Sequence, residues 1–340
     1  VQFESNKSLT KLNTLGFDQL AEHYIEVDSE DMLNEVIEHA NKQRWPVFIL
    51  GGGSNIVLTQ DIPGLVLRLS GESVRYENRG EENSWLFRIK ADAGVSWHRL
   101  VRDTMSRGLT GLENLSLIPG STGGAPIQNI GAYGVELADR FESVRALHLP
   151  TNQWQTFDAS ACEFGYRDSF FKRHPGEYCI TRVDLQAGKD MPFETNYDSL
   201  RHALERQNIE ELTPVIISDT VCKIRQSKLP DPAQIGNAGS FFHNPVVSSA
   251  QYEELKQRFP NLVAYPQEND SFKLAAGWMI DSLGLRGHSV GNVGVYEKQA
   301  LVLVNRGGGT GKELVALAEH IQGAVKDNYG VELNVEPLII

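Results

Sequence analysis

Pro119-Gly-Ser-Thr-Gly-Gly-Ala-Pro-Ile-Gln-Asn-Ile-Gly-Ala-Tyr-Gly134 joins five glycines and two prolines to small polar residues and carries no charge. It reads as neither helix nor strand. Glycine has no Cβ and tolerates left-handed backbone angles, so such a loop lets main-chain N–H groups approach a flat or phosphorylated ligand. Long uncharged connections are uncommon unless they do something, which favours ligand contact over a passive surface loop.

Upstream, Tyr24-Ile-Glu-Val27 reads as a strand. Asp28 is then expected to cap a helix that carries Met32, Leu33, Val36, Ile37 and Ala40 on one face. A strand over Pro46–Leu50 runs into Gly51-Gly-Gly-Ser-Asn55, a second turn able to cradle a diphosphate with successive N–H groups. A dinucleotide fingerprint of the G-x-G-x-x-G type would need glycine at position 56 and a helix from there. Ile56 stands there instead, and 56–58 and 65–69 look like strands, which argues against a nicotinamide-dehydrogenase fold. Residues 72–92 predict two strands around the acidic loop Arg79-Gly-Glu-Glu-Asn83, and Trp97, Leu100, Val101 and Met105 mark a helix that Gly108 can end.

Downstream, 144–149 and 153–157 resemble a hairpin around Thr151-Asn152, and a further strand is expected over 178–185. A helix near 218–227 stops at Lys228-Leu-Pro-Asp-Pro232, a plausible domain boundary. Gly236-Asn-Ala-Gly-Ser-Phe-Phe-His-Asn-Pro245 reads as a second glycine-rich turn, either a tight turn alone or one in which Ser240 presents an oxygen to a ligand held by Asn244. Helices are expected over 249–258, 273–283 and 311–327, with strands over 300–304 and 331–336. Arg306-Gly-Gly-Gly-Thr-Gly-Lys312 fails as a phosphate loop, because Arg306 occupies the first motif glycine and Glu313 replaces the magnesium-binding hydroxyl.

At 340 residues the chain is long enough for two or three domains, and 41% hydrophobic with 22% charged residues is ordinary for a soluble protein. No apolar run approaches the roughly 20 residues of a membrane span, and no secretory signal opens the chain. Cys162, Cys179 and Cys222 are too scattered for a disulfide framework or a zinc site, so a reducing cytoplasm and no metal are expected. A net charge of −12 disfavours nonspecific binding to nucleic acid or anionic lipid.

Taken together, Gly51–Asn55, Gly111-Leu-Glu-Asn-Leu115, Ile118–Gly134, Phe164-Gly-Tyr-Arg-Asp-Ser169, Lys228-Leu-Pro-Asp231 and Gly236–Pro245 resemble the UDP-N-acetylenolpyruvoylglucosamine reductases, flavoproteins of bacterial peptidoglycan synthesis. The similarity runs from about Ser8 to Pro337. It implies an α+β fold: a two-subdomain FAD-binding fold of the vanillyl-alcohol-oxidase type plus an α+β C-terminal substrate-binding domain. The expected boundaries are 1–70, 71–226 and 227–340, with the extreme C-terminus packing back on the FAD site.

The resemblance also assigns roles. Gly51, Gly52, Gly53, Ser54 and Asn55, with Pro119, Gly120, Ser121, Gly123, Gly124, Gln128, Asn129, Gly131, Ala132, Tyr133 and Gly134, would hold FAD without a covalent bond. NADPH would reduce the flavin, whose hydride then passes to the β-carbon of the enolpyruvyl ether. Arg167 and Glu336 would serve the substrate carboxylate and Ser240 would donate the proton. Tyr197, Arg225, Lys228, Asn244, Tyr265 and Gln299 would surround the UDP-sugar, with Tyr197 and Tyr265 matching the subtype that has a mobile tyrosine loop. The family's usual Leu-Glu-Pro-Glu reads here Leu333-Asn-Val-Glu336, so the surviving carboxylate carries the assignment. A monomer with no nucleic-acid or membrane partner is expected. Two other readings stay open: another flavin oxidoreductase on this scaffold, and a catalytically silent UDP-sugar-binding protein.

Overall fold

The computed structural model describes residues 1–79, 86–267 and 269–340, so 80–83 of the acidic loop lie outside the described residues. The chain forms two compact units. The first holds 1–7, 21–52 and 62–227; the second holds 8–20, 53–61 and 228–340.

The first unit contains two sheets. One has the strands Glu4–Ser8, Leu20–Val27, Ile62–Leu69 and Val47–Leu50 in that spatial order, the last three parallel. Its helix Glu30–Gln43 buries Leu33, Val36, Ile37 and Ala40, spaced to share one face, against Ile25, Val27, Leu65 and Leu67. The helix cap is Ser29, one residue after the expected Asp28: its hydroxyl accepts from the Met32 N–H, while Glu30 and Asp31 complement the positive end of the helix.

The other sheet is antiparallel, in the order Gln153–Asp158, Phe141–His148, Tyr178–Gly188, Leu86–Asp92, Val74–Asn78. The helix Trp97–Ser106 contributes Trp97, Leu100, Val101 and Met105 to the core of this half. Two further helices, Asp198–Glu205 and Pro214–Lys228, pack through Leu200, Leu204, Ile217 and Val221, with Tyr133 against that cluster.

The second unit is built on the antiparallel order Gly236–Ser240, Val302–Asn305, Val293–Val295, Ser289–Val290, a three-stranded sheet over Val246–Ser248, Ser271–Leu274 and Ala264–Gln267, and the helices Ser249–Arg258, Ala276–Ser282 and Gly311–Tyr329. Three expectations change here. Gly236–Ser240 is a strand with a register irregularity between Asn237 and Ser240, where Gly239 takes φ +72°, and not a free turn. Residues 331–336 form no extended ladder; they meet Phe242 through a single bridge at Val335. The expected helix start at 273–275 is instead the end of the strand Ser271–Leu274, which pairs on both sides.

Segments 8–20 and 53–61 are tied into the second unit by main-chain bonds. Thr14 N–H donates to the Gly53 carbonyl, Asn237 N–H to the Thr14 carbonyl, and the Asn305 side-chain amide to the Leu15 carbonyl at 2.8 Å. The C-terminal strand Leu338–Ile339 runs parallel to Ile56–Val57, and Thr59 donates to the Ile340 carbonyl through both its N–H and its hydroxyl. The C-terminus thus packs on the segment that follows the glycine turn.

Candidate active site

In the first unit the loop of 119–134 is anchored at its start by the residues around the N-terminus of Trp97–Ser106. Trp97 N–H donates to the Gly120 carbonyl and Thr122 N–H to the Val95 carbonyl, while the Trp97 indole donates to the Leu115 carbonyl at 2.9 Å. His98 Nδ1 accepts from the N–H of Leu117, a residue held at φ +58°. Burial, with the positive charges of Arg102 and Arg225, keeps the His98 imidazole below its ordinary pKa, and so in the neutral form that this acceptor role requires.

The backbone of Gly52 touches that of Gly120: a Cβ at Gly52 would lie 2.6 Å from Gly120 Cα. Gly123 packs as tightly on Ala93, where a Cβ would fall 2.5 Å from Ala93 Cβ. Among the described residues the N–H groups of Gly51, Gly52, Gly120 and Ser121 make no hydrogen bond. Four uncommitted main-chain donors on two touching glycine segments form an uncharged anion cradle, which fits a diphosphate-containing cofactor.

Further along, the loop is stapled to the Phe164–Ser169 turn. Asn129, 1% exposed, donates through Nδ2 to Glu136 Oε2 and to the Gly165 carbonyl and accepts through Oδ1 from Ala138 N–H. Arg167 Nη2 donates to the Gly131 carbonyl at 2.6 Å, and Ser169 Oγ to the Ile127 carbonyl at 2.7 Å. Residues 131–132 and 135–136 pair as a small ladder around Tyr133-Gly134. Asn114, in the Gly111–Leu115 motif, donates to the carbonyls of Tyr133 and Glu194 and so fixes Tyr133 at φ +51°. Its neighbour Glu113 is buried, accepts from Gly111 N–H, and has its carboxyl pKa raised by that burial.

The Tyr133 ring meets the Tyr197 ring edge-on at 5.4 Å. Near them Arg225 has its Nε buried with no hydrogen-bond partner among the described residues. Burial lowers the pKa of that guanidinium, against the raising influence of Tyr133 and Cys222, and the charge of Arg167 lowers it further. A buried guanidinium N–H without an acceptor is costly, and an anionic ligand would relieve it.

In the second unit Ser240 ends the strand Gly236–Ser240 opposite Val302, and among the described residues its Oγ makes no hydrogen bond. The next residue, Phe241, accepts from Glu336 N–H at 2.9 Å, and His243 N–H donates to the Asn334 carbonyl at 2.9 Å. Asn55 Nδ2 also reaches the Glu336 carbonyl. The strand end therefore brings Ser240 and Glu336 together. Arg167 belongs to the first unit. Asn244 Oδ1 accepts from Ala276 N–H at the start of the helix Ala276–Ser282. Gln299 Oε1 accepts from Leu301 N–H. Lys228 is exposed at the end of Pro214–Lys228, and Tyr265 is exposed on the strand Ala264–Gln267. Among the described residues no group of three or more His, Cys, Asp or Glu could hold a metal ion.

A family model for an FAD binding domain matches residues 21–157, and one for the UDP-N-acetylenolpyruvoylglucosamine reductase C-terminal domain matches 231–340. The reductase of that name from Ralstonia nicotianae is 47% identical, covering 98% of this chain and 97% of its own; that from Pseudomonas aeruginosa is 45% identical, covering 99% and 98%. The chain belongs to the UDP-N-acetylenolpyruvoylglucosamine reductase family.

The solved UDP-N-acetylenolpyruvylglucosamine reductase of Thermus caldophilus superposes with a TM-score of 0.69 at 25% identity, covering 99% of this chain and 98% of that one. The family membership establishes an FAD-dependent oxidoreductase of mixed helix and sheet, with an FAD-binding domain followed by the reductase family's C-terminal domain. Several residues that shape the site in this reductase-family chain carry no expected role from sequence: His98, Asn114 and Glu136. Gly111–Leu115 signalled Asn114 as part of a motif, but its partners lie 19 and 80 residues away. His98 and Glu136 had no signal beyond standing beside recognisable segments.

Proposed function

We propose that the chain reduces UDP-N-acetylenolpyruvoylglucosamine to UDP-N-acetylmuramate with NADPH as donor, in the cytoplasm, as a monomer, without a nucleic-acid or membrane partner. Gly51, Gly52, Gly120 and Ser121 would hold the FAD diphosphate through main-chain N–H groups, and bound FAD would take hydride from NADPH and deliver it to the β-carbon of the enolpyruvyl group. No residue of these loops need be charged for that task.

Hydride arrival leaves negative charge on the α-carbon and its carboxylate. Arg167 supplies a cation for that charge, Glu336 fixes the reacting end of the substrate, and Ser240 Oγ gives the proton to the α-carbon. A serine hydroxyl is a weak acid, so it serves only a strongly basic centre, which an α-carbon carrying this charge is. The observation that carries the reading is Ser240 itself: among the described residues its Oγ makes no hydrogen bond, and a main-chain bond from Glu336 N–H to the Phe241 carbonyl holds the carboxylate-bearing residue beside it. Among the described residues no helix is long and apolar enough to cross a membrane.

Stopped-flow absorbance with each substrate alone tests the function. NADPH should bleach the bound flavin, and the enolpyruvyl substrate should restore its colour far faster than oxygen does. Faster restoration by oxygen would make the protein an oxidase, and no bleaching would leave a silent binder.

Arg225 supports the anionic substrate. Arg225→Met removes a cation whose Nε is buried and, among the described residues, without a hydrogen-bond partner. It is expected to raise KM for the UDP-sugar about 10- to 100-fold, the worth of one or two lost charged hydrogen bonds. The variant should melt no lower than the parent, because an uncompensated buried charge is gone. A lower melting temperature with unchanged KM would make Arg225 a structural residue.

A further inference from the structure

We propose that Glu136 is a positioning residue that holds the Arg167 guanidinium for the reaction; the proposal rests on Arg167 acting on the substrate. Arg167 has φ +53°, a strained backbone for a residue with a side chain. The reciprocal Gly165–Asp168 main-chain bonds fix that turn, and Lys172 Nζ donates to the Arg167 carbonyl at 2.8 Å. Its side chain is then directed by two loop carbonyls, Gly131 at 2.6 Å and Asn129 at 3.4 Å. Carbonyl dipoles set a direction but bring no charge. Glu136 brings one: its Oε1 lies 3.8 Å from Arg167 Nη1, and its Oε2 is held at 2.8 Å by Asn129 Nδ2.

The carboxylate is therefore itself fixed, by an amide whose other bonds lead to Gly165 and Ala138. Gly131 makes room for the pair. A Cβ there would stand 2.8 Å from Arg167 Nη1 and 3.0 Å from Glu136 Cγ. With Glu136 in place, the guanidinium keeps one orientation while an anionic substrate arrives; without its charge, Arg167 can turn to pair with the carboxylate or diphosphate in unproductive ways.

Glu136→Gln keeps an oxygen for Asn129, removes the charge and replaces the other carboxylate oxygen with an NH2; the Glu136 side chain also accepts from Asp139 N–H at the start of the turn Leu137–Arg140. In the holoenzyme, flavin reoxidation by saturating enolpyruvyl substrate should slow about tenfold, the usual scale for a group that orients a functional partner. Flavin content and the rate of reduction by NADPH should stay close to the parent's, and the melting temperature should shift by no more than a surface substitution shifts it. Because Glu136 acts through Arg167, Arg167→Ala and Arg167→Ala/Glu136→Gln should reoxidise at the same slow rate.

Additive losses in the double variant, or slowing of both half-reactions by Glu136→Gln, would overturn the proposal. So would a slow Arg167→Ala beside an unimpaired Glu136→Gln. A fully active Arg167→Ala would instead remove the assignment of Arg167, and this proposal with it. Should Glu136→Gln fail to retain flavin, Glu136→Asp, charged but one methylene shorter, gives the same reading: reoxidation slowed alone supports the positioning role, and both half-reactions slowed overturns it.

Discussion

Ser240→Ala is expected to bleach with NADPH at the parent rate and to recover its flavin colour with the enolpyruvyl substrate about 100 to 10,000 times more slowly, the range over which a positioned proton donor acts. The asymmetry follows from where protons are needed. Taking hydride from NADPH requires no acid at the Ser240 position. Reduction of the enolpyruvyl group does, since hydride at the β-carbon leaves the α-carbon to be protonated. The structure favours a clean experiment, because Ser240 Oγ has no hydrogen bond among the described residues for alanine to break. The strand pairing of Ser240 with Val302 and the Phe241–Leu301 main-chain bond involve only backbone. Melting temperature should therefore remain within the small range typical of substitutions that break no packing or bonds. Equal slowing of both half-reactions would remove the proton-donor role, and near-parent reoxidation would place the donor elsewhere.

The periodic parts of the fold were legible because their signals are local. The stripe Leu33, Val36, Ile37 and Ala40 needs only its own helix to declare itself, and the buried faces agree. What escaped depends on distant partners. Residues 331–336 have strand-like residues, yet their neighbour is the end of an irregular strand, so only Val335 pairs. Segments 8–20 and 53–61 look like ordinary connections in the N-terminal part, but they join the second unit through bonds such as Thr14 Oγ1 to the Asn237 carbonyl, 223 residues apart.

The site divides in the same way. Glycine content pointed to the cradle proposed for FAD, since absence of side chains is itself a sequence signal. The roles proposed for Arg167, Ser240 and Glu336 came from resemblance to the reductase family, because a single arginine, serine or glutamate has no periodicity to distinguish it. Asn129 was expected at the cofactor; in the folded chain its side chain braces the loop, through partners 7, 9 and 36 residues away that no local pattern discloses.

Gly52→Ala should strip the protein of flavin while leaving it folded. Its backbone is not in the left-handed region, so alanine is locally acceptable, and the penalty comes from contact alone. The added Cβ would lie 2.6 Å from Gly120 Cα, 3.0 Å from Gly120 C and 3.1 Å from Ser121 N, all main-chain atoms with no rotamer to yield. The Gly51–Gly52 turn and the Gly120–Ser121 segment must separate, which scatters the N–H groups proposed to share one diphosphate. Losing two charged hydrogen bonds costs about 3 kcal/mol or more, roughly a 100-fold or greater rise in the Kd for FAD. The ratio of flavin to protein absorbance after purification, followed by FAD titration of the stripped protein, measures it. Gly51→Ala is the matched control, since its Cβ meets only the Ser121 hydroxyl, at 3.0 Å, and a hydroxyl can rotate aside. That variant should retain most of its flavin. If both variants kept flavin equally, the diphosphate would not lie on these amides; if both lost it equally, the turn's own flexibility would matter more than its contact with Gly120.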